Sequence, residues 1–435
     1  MHLFIIIIIS VLFSEPLTTE ELKSLEDYKN SAYKSAEHFK IFDSIINREI
    51  DIENPEICIL LYEASLFNDD LTLANKYINM AISNDKANQG YRDLSFKLEE
   101  YRDLLNRAKK TYEKDLLDES IRDYSSIINT YPKRALPHYE QGVVYRSMKD
   151  YKNAISNFKN AKNLNPNKDL YGKAIISIAQ RIAQEADQDA KRQDYNSAIP
   201  KYLEAIEYHP EFTQALFNLA KSFYFLTDYE NSKKYLLMNI EVDKNQDQSL
   251  KMLGDIYRKE RNIEDAITYY KKAISVNSNY YKAYYSLATL YINTNPDDSK
   301  AYLKNVISIK PDYSKAYETL GILNMQLGEN DEALENLLLV SELDSRNYKS
   351  NYLLADIYNQ KALPLSSKEF FNLAKQYAKK AIEIKKNCAP AFFHLGIAEK
   401  GLGNRPAAKD AFEKAKTNKD WRASAAYELE LLEKK

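Results

Sequence analysis

A small residue recurs along most of this chain at nearly constant spacing. Ala108, Gly142, Ala186, Ala220, Gly254, Ala288, Gly321, Ala355 and Gly396 follow one another at steps of 34, 44, 34, 34, 34, 33, 34 and 41 residues. A second set keeps the same beat: Ala154, Ala198, Ala266, Ala333, Ala374 and Ala408, paired with Ala161, Ala205, Ala273, Val340, Ala381 and Ala415. Between them, apolar residues fall three or four apart and line one face of a helix. Each period therefore holds two amphipathic helices that meet where the side chains are smallest, because a larger group there would push them apart. One such pair cannot bury enough apolar surface to offset its ordering entropy. It needs copies of itself on either side, and the chain supplies them.

The bulk numbers agree with stacked helices. Of 435 residues, 44% are hydrophobic and 29% charged, with only nine Gly and 12 Pro to break a helix. The length would suit two or three globular domains, but a stack evades that count because each unit packs only on its neighbours. The net charge of −2 gives no basic bias toward nucleic acid or an anionic membrane. Cys58 and Cys388 sit too far apart in such a stack to approach within the roughly 7 Å a disulfide needs.

Ala135 to Lys168 carries the motif in its fullest form. Gly142, Tyr145, Ala154, Phe158, Ala161 and Pro166 match the pattern W-x2-L-G-x2-Y, then A-x3-F, then a late Pro, with His138 and Gln141 at the Trp and Leu positions. The stretch resembles the tetratricopeptide repeat. That resemblance implies an all-α chain, a right-handed α-solenoid of about ten helix hairpins closed by a C-terminal capping helix. The array is expected over 101–420, with repeats near 101–134, 135–168, 179–212, 213–246, 247–280, 281–313, 314–347, 348–388 and 389–420. Before it, 15–100 holds N-terminal helices and an eroded repeat whose turn is Asn68-Asp69-Asp70; after it, 421–435 forms the cap through Trp421, Ala425, Leu429 and Leu432. Thr18 with Glu21 resembles a capping box. Gln89 to Glu100 and the ten-residue insertion at Asp169 to Ile178 are expected to lengthen helices. In the seven-residue insertion, Pro364 must end or bend one. The copy at 281–313 departs most, with Asn295-Pro296-Asp297 in its turn.

Residues 1–14, MHLFIIIIISVLFS, differ from all that follows. Leu3 to Phe13 has the length of a signal-peptide core and falls short of the ~20 residues of a spanning helix. The expectation is export to the periplasm or outside the cell after cleavage near Ser14. The alternative is an uncleaved anchor at residues 3–13, the only route to a membrane.

No chemistry stands out. His2, His38, His138, His209 and His394 lie outside metal-ligand spacing of one another, and His138 and His394 read as surface or groove residues. No nucleophile, base and oxyanion set can be assembled. The expectation is a non-enzyme without cofactor or metal.

The resemblance puts the interest in the first helices, which line the concave face in this family and hold a protein or peptide. The fifth, ninth and twelfth residues of each repeat share that face. They nominate Tyr139, Arg146, Phe217, Lys221, Tyr224, Lys251, Arg258, Tyr285, Tyr352 and Phe393, a stripe rich in the aromatic and Arg residues that anchor interfaces. The clamp by which some family members grip chaperone tails is matched only by Lys251 and Lys315, so no such partner is expected. The reading is an exported scaffold that binds a protein or peptide. Its alternative is an architectural or accessory subunit of a membrane-associated assembly or secretion complex.

Overall fold

A computed structural model describes residues 18–30, 45 and 52–433. The described residues form helices and no strand. The chain divides into two compact units, Met1–Leu226 and Thr227–Lys435. In the first lie α1 (Thr19–Asn30), α2 (Pro55–Phe67), α3 (Leu71–Asn84), α4 (Gln89–Glu113), α5 (Leu117–Thr130), α6 (Ala135–Ser147), α7 (Tyr151–Leu164), α8 (Asp169–Lys191), α9 (Tyr195–Tyr208) and α10 (Thr213–Phe225). In the second lie α11 (Tyr229–Val242), α12 (Asp247–Lys259), α13 (Ile263–Val276), α14 (Tyr281–Tyr291), α15 (Pro296–Ile309), α16 (Ser314–Gln326) and α17 (Asn330–Leu343). It continues with α18 (Tyr348–Leu365), α19 (Lys368–Ile384), α20 (Ala389–Gly401), α21 (Arg405–Lys416) and α22 (Arg422–Glu433). Within each unit, the two helices of a hairpin pack on each other and the second packs on the first helix of the next. This is an all-α solenoid.

The small residues sit where the helices cross. A Cβ added to Gly142 would lie 2.6 Å from the Phe158 ring, one at Gly254 2.6 Å from Tyr270, and one at Gly396 2.5 Å from Phe412. These rings are wholly buried and fill the hairpin interior. The close approach inferred from spacing is thus a ring from the second helix packed against the backbone of the first.

The tips follow from turn chemistry. At several, a residue in the left-handed region precedes an Asp or Asn whose side chain accepts from the first turn of the second helix. Lys149-Asp150, Gln193-Asp194, Thr227-Asp228 and Arg261-Asn262 are such pairs. Thr227 is the worst suited of these, because a β-branched side chain at φ +61° crowds its own backbone. Thr227→Gly is expected to stabilise the chain by about 1 kcal/mol, read as a shift in the denaturation midpoint.

The insertions lengthen helices. α4 runs for 25 residues and α8 for 23, where ordinary first helices have 13. α18 continues through Pro364 and stops one residue later, and Ser366 at φ +47° reverses the chain. The Thr18–Glu21 capping box forms, with Thr18 N–H donating to Glu21 at 2.8 Å and Glu21 N–H to Thr18 Oγ1 at 3.2 Å. The apolar N-terminus and most of the stretch to Arg48 lie outside the described residues. Among those described, no helix is long and apolar enough to cross a membrane.

Candidate peptide-binding face

Two adjoining clefts, of about 450 and 410 Å³, open between α8 and α10 in the first unit. They share a floor of Asp187, Tyr202 and Asn218. Tyr202 rises from α9 beneath, fully buried, and its hydroxyl donates to Asp187 Oδ1. Asn218 Nδ2 donates to the same oxygen at 2.8 Å, and Gln214 Nε2 donates to Asn218 Oδ1 at 3.1 Å. Burial, reinforced by the bond to Asp187, pushes the Tyr202 hydroxyl well above its ordinary pKa, so it remains a donor at every physiological pH. A half-exposed carboxylate is thereby fixed in one rotamer on the first-helix face.

The smaller cleft is lined by amides, Gln180, Gln184 and Gln214, with Phe212 at its edge. An amide side chain both donates and accepts, which matches the groups a polypeptide backbone presents. The larger cleft is ringed by Lys191, Lys221 and a stacked pair, Tyr195 and Phe225, whose centroids are 5.1 Å apart. Phe225 is 50% exposed, and Lys221 Nζ lies 5.9 Å from its centroid. An apolar platform beside a few placed polar groups is the usual composition of a binding cleft.

The second unit repeats the tether. Tyr270 Oη donates to Asp255 Oδ1 at 2.8 Å, and Lys251 Nζ to Asp255 Oδ2 at 2.6 Å. The sequence holds the reason. A large buried side chain falls 16 residues after the small residue, as Tyr124, Phe158, Tyr202, Leu236, Tyr270, Leu337, Phe371 and Phe412. The residue just after the small one is Lys109, Val143, Asp187, Lys221, Asp255, Ile322, Asp356 and Ile397 in the same order. At Asp187–Tyr202 and Asp255–Tyr270 a buried hydroxyl reaches the carboxylate, whereas Tyr124 is paired in sequence with Lys109 and Phe371 with Asp356. An Asp followed 15 residues later by Tyr is the signal that could have found these sites.

The nominated residues divide by burial. Lys221 lines the larger cleft, and Phe217 and Tyr224 lie half-buried on the same helix. Arg258 is exposed and Arg146 half-buried, each near the end of its helix, while Lys251 is held by Asp255. The remaining rings fill seams. Tyr139 lies between Phe158 and Tyr171, with centroids 5.5 and 5.3 Å away. Tyr285 shares a 3.1 Å hydrogen bond with Thr319 of the next first helix and meets the edge of Tyr313. Tyr352 packs against Ala381, Cys388 and Ala391, and burial pushes its hydroxyl up to about 12. Phe393 is 4.9 Å from Trp421. His394 is no surface residue; it is 7% exposed with Nδ1 3.6 Å from Asp356, and burial pushes its pKa below the ordinary imidazole value. Gln180, Gln184, Gln214, Asn218 and Phe225 fall off the stripe of fifth, ninth and twelfth residues, and Tyr195 lies on a second helix, so that stripe does not nominate them. Among the described residues, no group of three or more His, Cys, Asp or Glu is placed to hold a metal ion.

The solenoid of hairpins with its first-helix clefts defines the class, a helical repeat scaffold. Two family profiles described as tetratricopeptide repeat match it, one at 137–168 and 248–280, the other at 183–232. The chain is a tetratricopeptide-repeat protein. Among solved structures, it is similar to the MamA protein, at 24% identity over 42% of this chain and 96% of that one, with a TM-score of 0.36. It is also similar to the C-terminal part of a repeat-containing protein from Cytophaga hutchinsonii, at 19% identity over 55% and 98% of the two chains and a TM-score of 0.46. PilF of Pseudomonas aeruginosa follows at 17% identity over 49% and 97%, with a TM-score of 0.42. No curated protein sequence matches the chain.

Proposed function

We propose that this protein is a non-catalytic scaffold that holds a polypeptide segment against its first helices, chiefly in the clefts between α8 and α10. The observation that supports it is the tethered Asp187, with amides on one side and the Lys221, Tyr195 and Phe225 platform on the other. Repeat scaffolds of this fold serve protein–protein interaction, and open faces carrying aromatic and amide groups are where such contacts form. We also propose export through the Leu3–Phe13 segment, which predicts a mature chain beginning near Glu15.

The test uses the full chain as bait in its native host. Phe225→Ala with Gln184→Ala is expected to lower capture of the wild-type partner at least tenfold with little change in melting temperature, since Phe225 is half exposed. Unchanged capture by that variant would place the binding face elsewhere. N-terminal sequencing of the protein from fractionated cells checks export; an intact Met1 in the soluble cytoplasmic fraction would reject it.

A further inference from the structure

Hairpin tips in a solenoid ordinarily face solvent, and here the left-handed residues Asp115, Lys149, Gln193, Thr227, Arg261 and Ser366 do so. The tip between α2 and α3 is different. Asp69 occupies the same position at φ +59°, yet its carboxylate is 3% exposed. Groups about a hundred residues later hold it. Asn165 Nδ2 donates to the Phe67 carbonyl at 2.7 Å, and Lys168 Nζ donates to the Asn68 carbonyl at 2.6 Å. Lys168 Nζ also lies 3.4 Å from Asp69, and the buried Tyr171 hydroxyl donates to Asp69 Oδ2.

Two further facts mark this as a seat for a ligand group. The backbone N–H of Leu136, in the first turn of α6, reaches the same carboxylate, while the N-cap residue Arg134 gives that helix no side-chain cap. Asp69 thus supplies, from a distant hairpin, the negative charge a helix N-terminus favours. In addition, Asn165 is 1% exposed and its Oδ1 has no hydrogen-bond partner, so the seat keeps an acceptor that the tip does not use. Nor does stacking explain the contact. A hairpin of a solenoid touches its neighbour, which for α2–α3 is α4–α5, whereas this tip reaches α6 and α8.

We propose that Asn165, Lys168, Tyr171 and the first turn of α6 form a recognition site for an asparagine–aspartate turn. Phe67–Asp70 fills it in cis, and a partner polypeptide presenting the same turn takes the seat in exchange. The partner's carboxylate replaces that of Asp69, its carbonyls replace those of Phe67 and Asn68, and a backbone N–H from it satisfies Asn165 Oδ1. The site is separate from the α8–α10 clefts and stands or falls independently of them.

The probe is a fluorescent peptide with the sequence of residues 64–73, added to the full chain and followed by anisotropy. Asp69→Ala is expected to bind it at least tenfold more tightly than the wild type, because the tip then keeps only its Phe67 and Asn68 carbonyl contacts and competes weakly for the seat. Lys168→Ala with Tyr171→Phe, added to Asp69→Ala, is expected to abolish that gain, as is Asp→Asn in the peptide at the residue corresponding to Asp69. Hydrogen exchange at the Leu136 amide should quicken in Asp69→Ala and slow again with peptide. Should Asp69→Ala fail to fold, Asp69→Asn keeps the side chain's size and removes its charge. Equal binding by wild type and variant, or a gain that survives loss of Lys168 and Tyr171, would overturn the proposal.

Discussion

Tyr270→Ala is expected to cost about 3–5 kcal/mol, among the larger losses a single core substitution produces. The ring is fully buried, and its hydroxyl is one of the two donors that fix Asp255. The more telling measurement pairs it with Gly254. Alanine is the better helix former by about 1 kcal/mol, so Gly254→Ala would stabilise an isolated helix. In this chain the new Cβ would meet the Tyr270 ring at 2.6 Å, and overpacking of that kind costs about 1–3 kcal/mol. The expected result alone is destabilisation. Once Tyr270 is alanine the obstruction is gone, and Gly254→Ala should then stabilise by about 1 kcal/mol. A change of sign between the two backgrounds, read by denaturant titration of the full chain, is a coupling that independent sites cannot show. The same sign in both would mean that the ring does not lie on that helix.

How much of this was legible beforehand can be judged from the same residues. The spacing from Ala108 to Gly396 carried the all-α solenoid, because a crossing that admits only Gly or Ala is a local constraint that every hairpin must meet. Helix lengthening at Gln89 and Asp169 was legible for a related reason: apolar periodicity persists through each insertion. The cleft was less so. The aromatic stripe marked residues such as Tyr285 and Tyr352 that face both a neighbouring repeat and the first-helix surface, and a single stripe cannot say which side takes the ring. The Asp187–Tyr202 tether lay in view as paired positions, but its meaning depends on a buried hydroxyl finding a carboxylate above it. The docking of Asp69 on α6 and α8 could not be read at all. It joins residues about a hundred positions apart that share no periodic relation.

Leu429→Asp is the second large effect, and it acts on one end of the array. Leu429 is 7% exposed in α22 and packs with Ala425 on Ala408, Phe412 and Ala415. An unpaired carboxylate there loses the leucine's packing and pays for desolvation as well, a cost of at least about 3 kcal/mol. Polar ties remain, among them Lys400 to Glu428 at 2.5 Å, Lys409 to Glu433 at 3.7 Å and Arg405 to the Leu432 carbonyl at 2.8 Å, but partly exposed contacts of this kind contribute little. α22 should therefore detach and leave Phe412 open to water, since Ala425 and Leu429 of α22 are packed against it. Trp421 reports the event alone, because it is the only tryptophan and its ring lies 4.9 Å from Phe393 and 5.6 Å from His394. Its emission is expected to shift to the red in the folded variant while the helical circular dichroism falls only by the share of the last helix and the repeat beneath it. Leu429→Met, which conserves volume, should leave both signals near the wild type. If tryptophan emission and helicity were instead lost together in one transition at the wild-type midpoint, the end of the array would be no weaker than its middle, and nearest-neighbour stacking would not be what holds the last repeat in place.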